Sequence, residues 1–276
     1  RYAIFLALLY FRVRAQDSIM PDLDIDFRSP RLYVDAPLAA GDRVPLNRNQ
    51  GNYLGNVLRL GAGTNVLVFN GRDGEWRAAI SGRKRPEHLE IVAATRKQDH
   101  LPDVRYAFAP LKHARLDYMV QKAVEMGASA LQPVLTRFTQ VGRVNGERMR
   151  ANVIEAAEQC GILSLAAVEE PAPLDRWLGR REGERLLVFC DEAALTANPA
   201  RALEPVRTVA HGIDVLVGPE GGFADDEREN LLNQPNILRL SLGPRILRAD
   251  TAAVAVLALV QTVLGDWTEP EKPATR

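Results

Sequence analysis

The sequence is poor in the residues that staple or metallate small folds. Its 276 residues include two cysteines, Cys160 and Cys190, too few for a disulfide framework. A reducing cytoplasmic setting suits them, and both are expected to be plain buried thiols. The four histidines, His88, His100, His113 and His211, are scattered without ligand spacing, so no metal site is expected. Long hydrophobic runs are missing too. Ala3 to Phe11 and Ala252 to Val260 both fall well short of a bilayer span, so no membrane contact is expected. The first run precedes Arg12 and Arg14, but no small-x-small cleavage site follows. Residues 1–27, with acidic Asp22, Asp24 and Asp26, read as a peripheral extension or a misplaced start.

Charge of one sign is also absent: 35 basic residues balance 35 acidic ones. Overall neutrality argues against a nucleic-acid protein, but the distribution argues the other way. Residues 1–97 hold 15 Lys and Arg against 10 Asp and Glu, which leaves 20 against 25 for the remainder. A basic front on an acidic body suggests that one part alone meets a polyanion. An accidental unevenness of surface charge explains the same numbers.

What is present is the material of an ordinary globular protein, 46% hydrophobic and 25% charged, enough for one large domain or two modest ones. From Arg31 to Thr95 short apolar or alternating segments stand between Gly, Asn, Asp and Pro: RLYVDAP, YLGNVLRL, NVLVFNG, EWRAAISG and HLEIVAAT. Strands of that length and spacing predict a small β-barrel over residues 28–96. The polar RKQDHLPD (96–103) reads as a linker.

Beyond it the period changes. VRYAFAPL reads as a strand, Arg115 to Gly127 as an amphipathic helix, SALQPVLT as a strand and Glu147 to Cys160 as a helix. LLVFCDEA, DVLVGPEGG and ILRLSLGP supply further strands, the last two each followed by a helix. Such alternation predicts an α/β domain over 104–268 with a parallel sheet covered on both faces.

Two loops carry the chemical information. In DVLVGPEGGFADDERENLL a buried strand runs into Gly218-Pro219-Glu220-Gly221-Gly222, and a helix opens near Ala224. Glycines there allow close backbone approach to a ligand. The loop is not a phosphate cradle, because it lacks both a Gly-Lys-Ser/Thr ending and a G-x-G-x-x-G spacing. Asp225, Asp226 and Glu227 in the first helical turn would moreover repel a phosphate. A neutral or cationic ligand suits it better; a purely structural turn is the alternative.

In the second, a strand from Ile237 to Leu242 ends at Gly243-Pro244, Arg245-Ile246-Leu247-Arg248 follows, and Asp250 or Thr251 can cap the last helix. That helix is apolar on almost every face from Ala252 to Leu264, so it must be buried in the domain or against a second subunit. Arg245 and Arg248 stand where open α/β sheets bind ligands. They could instead simply pair with Glu220 and Asp250.

LVGPEGGF followed by LSLGPRILRADTA resembles the paired signature of the RsmE family, bacterial 16S ribosomal RNA uridine-N3 methyltransferases of the SPOUT class. QKAVEMGA (121–128) and AAEQCG (156–161) add to the likeness, and LGNVLRLGAGTNVLVFNG (54–71) resembles the family's N-terminal PUA-like β-barrel. The likeness covers roughly residues 30–265. It implies a SPOUT α/β domain whose C-terminal segments form a trefoil knot, against the usual unknotted rule. S-adenosylmethionine would lie in that knot, surrounded by Val217, Gly218, Glu220, Gly221, Gly222, Leu240, Ser241, Leu242, Gly243, Ile246 and Leu247, with Thr251 nearby. A homodimer, which would cover the apolar last helix, is implied as well. Tyr53, Ile162 and Asp250 depart from the family's usual His, basic residue and Glu.

The implied reaction needs no metal. Uracil N3 must lose its proton to become nucleophilic, so cationic donors that stabilise the uracil anion are expected, with Arg245 and Arg248 the candidates. Glu220, Asp250 or solvent could take the proton. Arg31, Arg59, Arg72, Arg77, Arg83, Lys84 and Arg85 of the barrel would grip the phosphates of 16S rRNA. Two rivals are a knotted methyltransferase acting on transfer RNA or ribose hydroxyls, and a catalytically inert RNA-binding module.

Overall fold

The computed structural model describes residue 26 and residues 28–83, 85–207 and 211–267. Of the amino-terminal extension, only Asp26 falls within that range. The first unit comprises β1 (Arg31–Tyr33), β2 (Arg43–Pro45), α1 (Arg48–Asn52), β3 (Asn65–Phe69), β4 (Glu75–Ser81) and β5 (His88–Arg96). Its strands form one sheet in the order β1-β3-β4-β5-β2. The β1–β3 pairing is parallel and the others antiparallel. All five strands contribute to one core, with Leu32, Val44, Val66, Val68, Ile80, Leu89 and Ile91 among its buried members.

One expected strand is a helix. YLGNVLRL does not join the sheet: α1 continues into a π-helical turn over Tyr53–Val57. Asn47 starts the helix with a reciprocal cap, its Oδ1 accepting from Gln50 N and its own N–H donating to Gln50 Oε1, both at 2.9 Å. The helix lies directly on the β4–β5 connection. A Cβ at Gly51 or at Gly55 would sit 2.9 Å from Pro86. Periodicity in eight residues could not separate a strand from a helix packed this closely.

The second unit is built on β6 (Val104–Phe108), β7 (Ala130–Leu135), β8 (Ala167–Val168), β9 (Ala172–Pro173), β10 (Leu186–Cys190), β11 (Ile213–Val217) and β12 (Ile237–Leu240). The order is β12-β10-β11-β6-β7-β8, with β9 also beside β7, and every pairing is parallel. Alternate residues face opposite layers. Tyr106, Phe108, Val188, Val215 and Val217 pack under α2 (His113–Glu125), α3 (Gly146–Cys160) and α7 (Ala249–Val263). Ala107, Leu187, Phe189 and Leu216 pack under α4 (Leu174–Arg180) and α6 (Asp225–Leu232). A short α5 (Pro199–Leu203) lies beside α7. The sheet is covered on both faces, as the alternation of elements predicted.

The segment read as a linker is bonded structure. Asp99 accepts from the backbone N–H groups of Leu163 and Ser164 at 2.8 and 2.7 Å, and Arg96 Nη2 donates to Gly161 O at 2.7 Å. Phe69, Ala157 and Leu163 form a small apolar cluster across the same junction, with Ile162 against it. Among the described residues, no helix is long and apolar enough to cross a membrane.

Two further expectations are corrected. Cys160 is exposed rather than buried. Cys190 is partly buried, with its thiol pushed up to about 12 by burial. The last helix starts earlier than expected, at Ala249, with Arg248 at its N-cap position and no side-chain capping bond. Neither Asp250 nor Thr251 is the cap. Asp250 lies in the first turn, where a carboxylate complements the helix dipole.

Candidate functional site

The carboxyl ends of β10, β11 and β12 and the start of α7 enclose a cavity of about 410 Å³. This is the sheet edge at which open α/β folds bind ligands, and the volume is within the ordinary range of roughly 300–1,000 Å³. Both glycine loops reach it. Val217, Gly218, Glu220, Gly221 and Gly222 line it from the β11 side, and Leu240, Ser241, Leu242, Gly243, Arg245, Ile246 and Leu247 from the β12 side. Thr251 and Arg248 are not among the lining residues. Thr251 is exposed on α7, and Arg248 is exposed at its start.

The local sequence explains the shape of the first loop. A side chain at Gly218 would run into the ring of Phe223, which folds back to pack edge-on against Phe189 at 5.4 Å. Gly222 N–H donates to Pro219 O at 2.9 Å, closing a turn that places Gly222 at φ +72°. Glu227 Oε2 then accepts from Ala224 N–H at 3.0 Å, tying off the start of α6. In the second loop Gly243 adopts φ +111°, open to glycine alone without strain. No protein atom lies within 4 Å of a Cβ built at Gly222 or Gly243, so both backbones face open space.

The ion pairs differ from those the sequence suggested. Arg245 and Arg248 do not pair with Glu220 and Asp250. Arg115, in the first turn of α2, takes both carboxylates instead. Its Nη1 donates to Glu220 Oε1 at 2.6 Å, and its Nε and Nη2 donate to Asp250 at 3.0 and 3.2 Å. Arg115 thereby joins one carboxylate of each loop to a third element. Arg245 and Arg248 have no ion-pair partner among the described residues, and both are exposed. The guanidinium of Arg115 holds the Asp250 carboxyl below the usual carboxylate range. That makes Asp250 a poor proton acceptor, which weakens it as the candidate base.

Sequence reasoning missed Arg115 because its partners lie 105 and 135 residues away. One available signal was its place on the helix that opens after a central strand, at the ligand-binding sheet edge. It also missed Asp191 at the end of β10, which lines the cavity. Burial pushes the Asp191 carboxyl up, but hydrogen bonds from Arg239 and Arg228, each at 2.7 Å, outweigh it and hold the group below its ordinary value.

The lining suits a ligand with an apolar ring and positive charge. Phe189, Val217, Leu240, Leu247, Ala249 and Ala252 give it apolar surface, while exposed Glu192 gives an acceptor for a cation; Glu220 is already held by Arg115. The glycines leave room for a close approach. The donor set fits S-adenosylmethionine, an adenine with a sulfonium, better than a polyphosphate.

The basic residues of the first unit separate into two groups. Arg59, Arg72, Arg77, Arg83 and Arg85 are exposed. Arg31 is not, which corrects its expected place among phosphate contacts. It is 6% exposed, its Nε donates to buried Glu75 at 2.7 Å, and its Nη1 reaches Glu158 O at 3.4 Å. Arg31 is buried at the junction of the two units, its guanidinium bonded to Glu75, Asp26 O and Glu158 O. Lys84 lies outside the described residues. Tyr53 packs half-buried against the first core, and burial raises its hydroxyl pKa.

Comparison with known proteins agrees with this architecture. Residues 97–261 match the RNA methyltransferase domain family, and residues 46–92 match the RNA methyltransferase PUA domain. The ribosomal RNA small subunit methyltransferase E of Rickettsia conorii is 31% identical over 87% of this chain and 97% of its own. The crystal structure of a ribosomal RNA small subunit methyltransferase E from Neisseria gonorrhoeae, bound to S-adenosyl methionine, superposes with a TM-score of 0.74. It is 29% identical and covers 87% of this chain and 100% of its own. A Legionella pneumophila methyltransferase solved with SAM is 27% identical, with a TM-score of 0.72 over 85% of this chain and 97% of its own. The domain match spans more than half of the chain and the curated relative nearly all of its own length, so this chain belongs to the ribosomal RNA small subunit methyltransferase E family.

Proposed function

We propose that the chain transfers a methyl group from S-adenosylmethionine to N3 of a uridine in the 16S RNA of the small ribosomal subunit. The observation that carries this reading is the convergence of two glycine loops, from β11 and β12, on one cavity lined also by Arg245, which has no ion-pair partner among the described residues. The cofactor would be held by Val217, Gly218, Glu220, Gly221, Gly222, Leu240, Ser241, Leu242, Gly243, Ile246 and Leu247, with exposed Thr251 outside this lining in the first turn of α7. It supplies an activated methyl on a sulfonium, which a deprotonated nitrogen can take directly.

The chain's own task is to position the base and stabilise its anion. Arg245 on the cavity lining and Arg248 three residues on are exposed cationic donors without an ion-pair partner among the described residues, and can hydrogen-bond the uracil oxygens as charge develops on them. Orientation alone supplies a large part of the rate. With Asp250 and Glu220 occupied by Arg115, solvent is the better proton acceptor. The base must leave its stack to reach the cavity. Exposed Arg59, Arg72, Arg77, Arg83 and Arg85 would hold phosphates and fix the register.

The same reading includes closure of the first sheet into a PUA-like β-barrel, a SPOUT-type trefoil knot formed by the segments after β11, a cytoplasmic location and a homodimer. The dimer is supported by α7, whose Val254, Ala255, Ala258 and Leu259 are only partly covered within one chain. Methyl transfer to small subunits purified from cells lacking the gene tests the function. Labelled uridine N3 in 16S RNA is the expected product; label on another atom, on transfer RNA, or nowhere overturns it.

A further inference from the structure

One exposed aromatic residue stands against the Gly221 loop that lines the cavity and has no part in the reading above. Phe138, in the connection between β7 and α3, is 46% exposed. Single exposed apolar residues are common and carry no meaning alone. Here three independent features coincide.

The first is contact with the site. A Cβ at Gly221 would sit 3.3 Å from Cβ of Phe138 and 3.8 Å from its Cγ, so the missing side chain at Gly221 makes room for the phenylalanine. Gly221 does not have a positive φ, so close approach rather than backbone conformation accounts for glycine there.

The second is rigidity. The preceding residue is tied to the start of α6, with Arg137 N–H donating to Glu227 Oε1 at 2.8 Å and its Nη2 to Asp226 Oδ2 at 2.6 Å. On either side, Thr136 N–H donates to Thr139 Oγ1 at 2.9 Å, and Thr139 N–H returns a bond to Thr136 O at 3.1 Å. The ring is therefore presented on a closed turn tied to the start of α6, not on a loose loop.

The third is chemistry. Apart from Phe138, the exposed rim offers Glu192, Glu220, the aliphatic Ile246 and Arg245, whose planar guanidinium is assigned above to the uracil oxygens; Phe138 is the exposed aromatic face beside them.

We propose that Phe138 is the stacking platform for the target base: an unpaired pyrimidine lies on the exposed ring face and is thereby turned toward the cavity. This rests on the methyl-transfer reading. Aromatic stacking contributes about 1–3 kcal/mol per base, which corresponds to roughly a 5- to 150-fold effect on productive binding.

Two measurements test it. In the first, Phe138→Leu and Phe138→Trp are compared in methyl transfer to unmodified small subunits, with calorimetric titration of S-adenosylmethionine alongside. Stacking predicts that Phe138→Leu lowers kcat/KM for the subunit at least fivefold, leaves cofactor affinity within twofold, and is rescued by Phe138→Trp. An unchanged kcat/KM in Phe138→Leu overturns the proposal. So does equal impairment of both variants with a parallel loss of cofactor affinity, which would mean that Phe138 only supports the Gly221 loop. The second measurement needs no turnover. Tryptophan fluorescence of Phe138→Trp, taken relative to the parent protein, is followed on adding a short single-stranded uridine-containing RNA whose binding is monitored by anisotropy. Quenching beyond the parent's supports stacking; bound RNA without added quenching overturns it. Should the parent protein methylate nothing, the functional reading fails by itself, and the fluorescence still decides the role of Phe138.

Discussion

Arg115 binds Asp250 through two parallel hydrogen bonds, Nε to Oδ2 at 3.0 Å and Nη2 to Oδ1 at 3.2 Å. With its remaining nitrogen on Glu220, one guanidinium thus bridges α2, the β11 loop and the start of α7. Arginine alone can do this, because its planar fork satisfies a carboxylate on one edge while another N–H points elsewhere. That fork ties the β11 loop to the first turn of α7, directly after the second glycine loop.

Loss of the fork should therefore weaken the cofactor site without unfolding the protein. Charged hydrogen bonds are worth about 1.5–3 kcal/mol, discounted here because Arg115 and Glu220 are partly exposed. Arg115→Ala is expected to weaken S-adenosylmethionine binding by roughly tenfold. Arg115→Lys should recover only part of it, since a point charge cannot make the paired contact. Calorimetry checks both; unchanged affinity in Arg115→Ala would show that the loops hold their places without it.

Arg245→Ala and Arg248→Ala should act on chemistry rather than on cofactor binding. Removing one donor that stabilises a developing anion typically costs about 10²–10³ in kcat. Neither side chain supports another residue through an ion pair among the described residues, so thermal stability should stay near that of the parent. Single-turnover methyl transfer separates the outcomes: a large loss in one variant only would assign the role to that arginine.

Arg31 and Arg77 should give opposite phenotypes, although both are arginines on strands of the first sheet. Arg31→Ala leaves the buried Glu75 carboxylate with Arg96 as its remaining cation. Breaking a buried pair costs about 3–5 kcal/mol, and the surviving partner should place this one at the lower end. Arg77→Ala should leave stability alone and reduce the salt dependence of RNA binding by about one unit of slope. Denaturant unfolding and binding at several salt concentrations would distinguish them.

Glu158 supplies a pH dependence. Burial pushes its carboxyl up to about 7, with the Tyr33 N–H bond at 2.8 Å opposing and Glu155 adding to the rise. A carboxyl whose folded pKa exceeds the unfolded value of 4.5 binds its proton more tightly when folded. Its favourable contribution is complete below that unfolded value and is lost as pH rises through about 7. Glu158→Gln keeps the acceptor for Tyr33 and removes the titration. It should raise the melting temperature at pH 8 and leave it nearly unchanged at pH 4. Thermal scans across that interval measure the difference; parallel curves would refute the elevated pKa.

Much of the molecule was legible in one dimension because the decisive signals were local. Residues 104–264 alternate strand and helix periods, and a parallel sheet with two covered faces follows from that alternation alone. The glycine spacings of Gly218–Gly222 and Gly243 likewise marked the two loops that line the cavity, since positive φ and close approach constrain residue type wherever they occur. What local pattern could not carry was partnership across the chain. Tyr53–Val57 has strand composition, yet it is helical because Gly51 and Gly55 fit against Pro86, a contact set by the β4–β5 connection. Arg31 has the chemistry of a phosphate ligand and lost that role when folding buried it beside Glu75. Arg245 and Arg248 have no ion-pair partner among the described residues, and Glu220 and Asp250 pair with Arg115 instead. The amino acid sequence determined the elements, the two glycine loops and the charges available; tertiary packing decided which charges neutralise each other, because that depends on distances between residues a hundred positions apart.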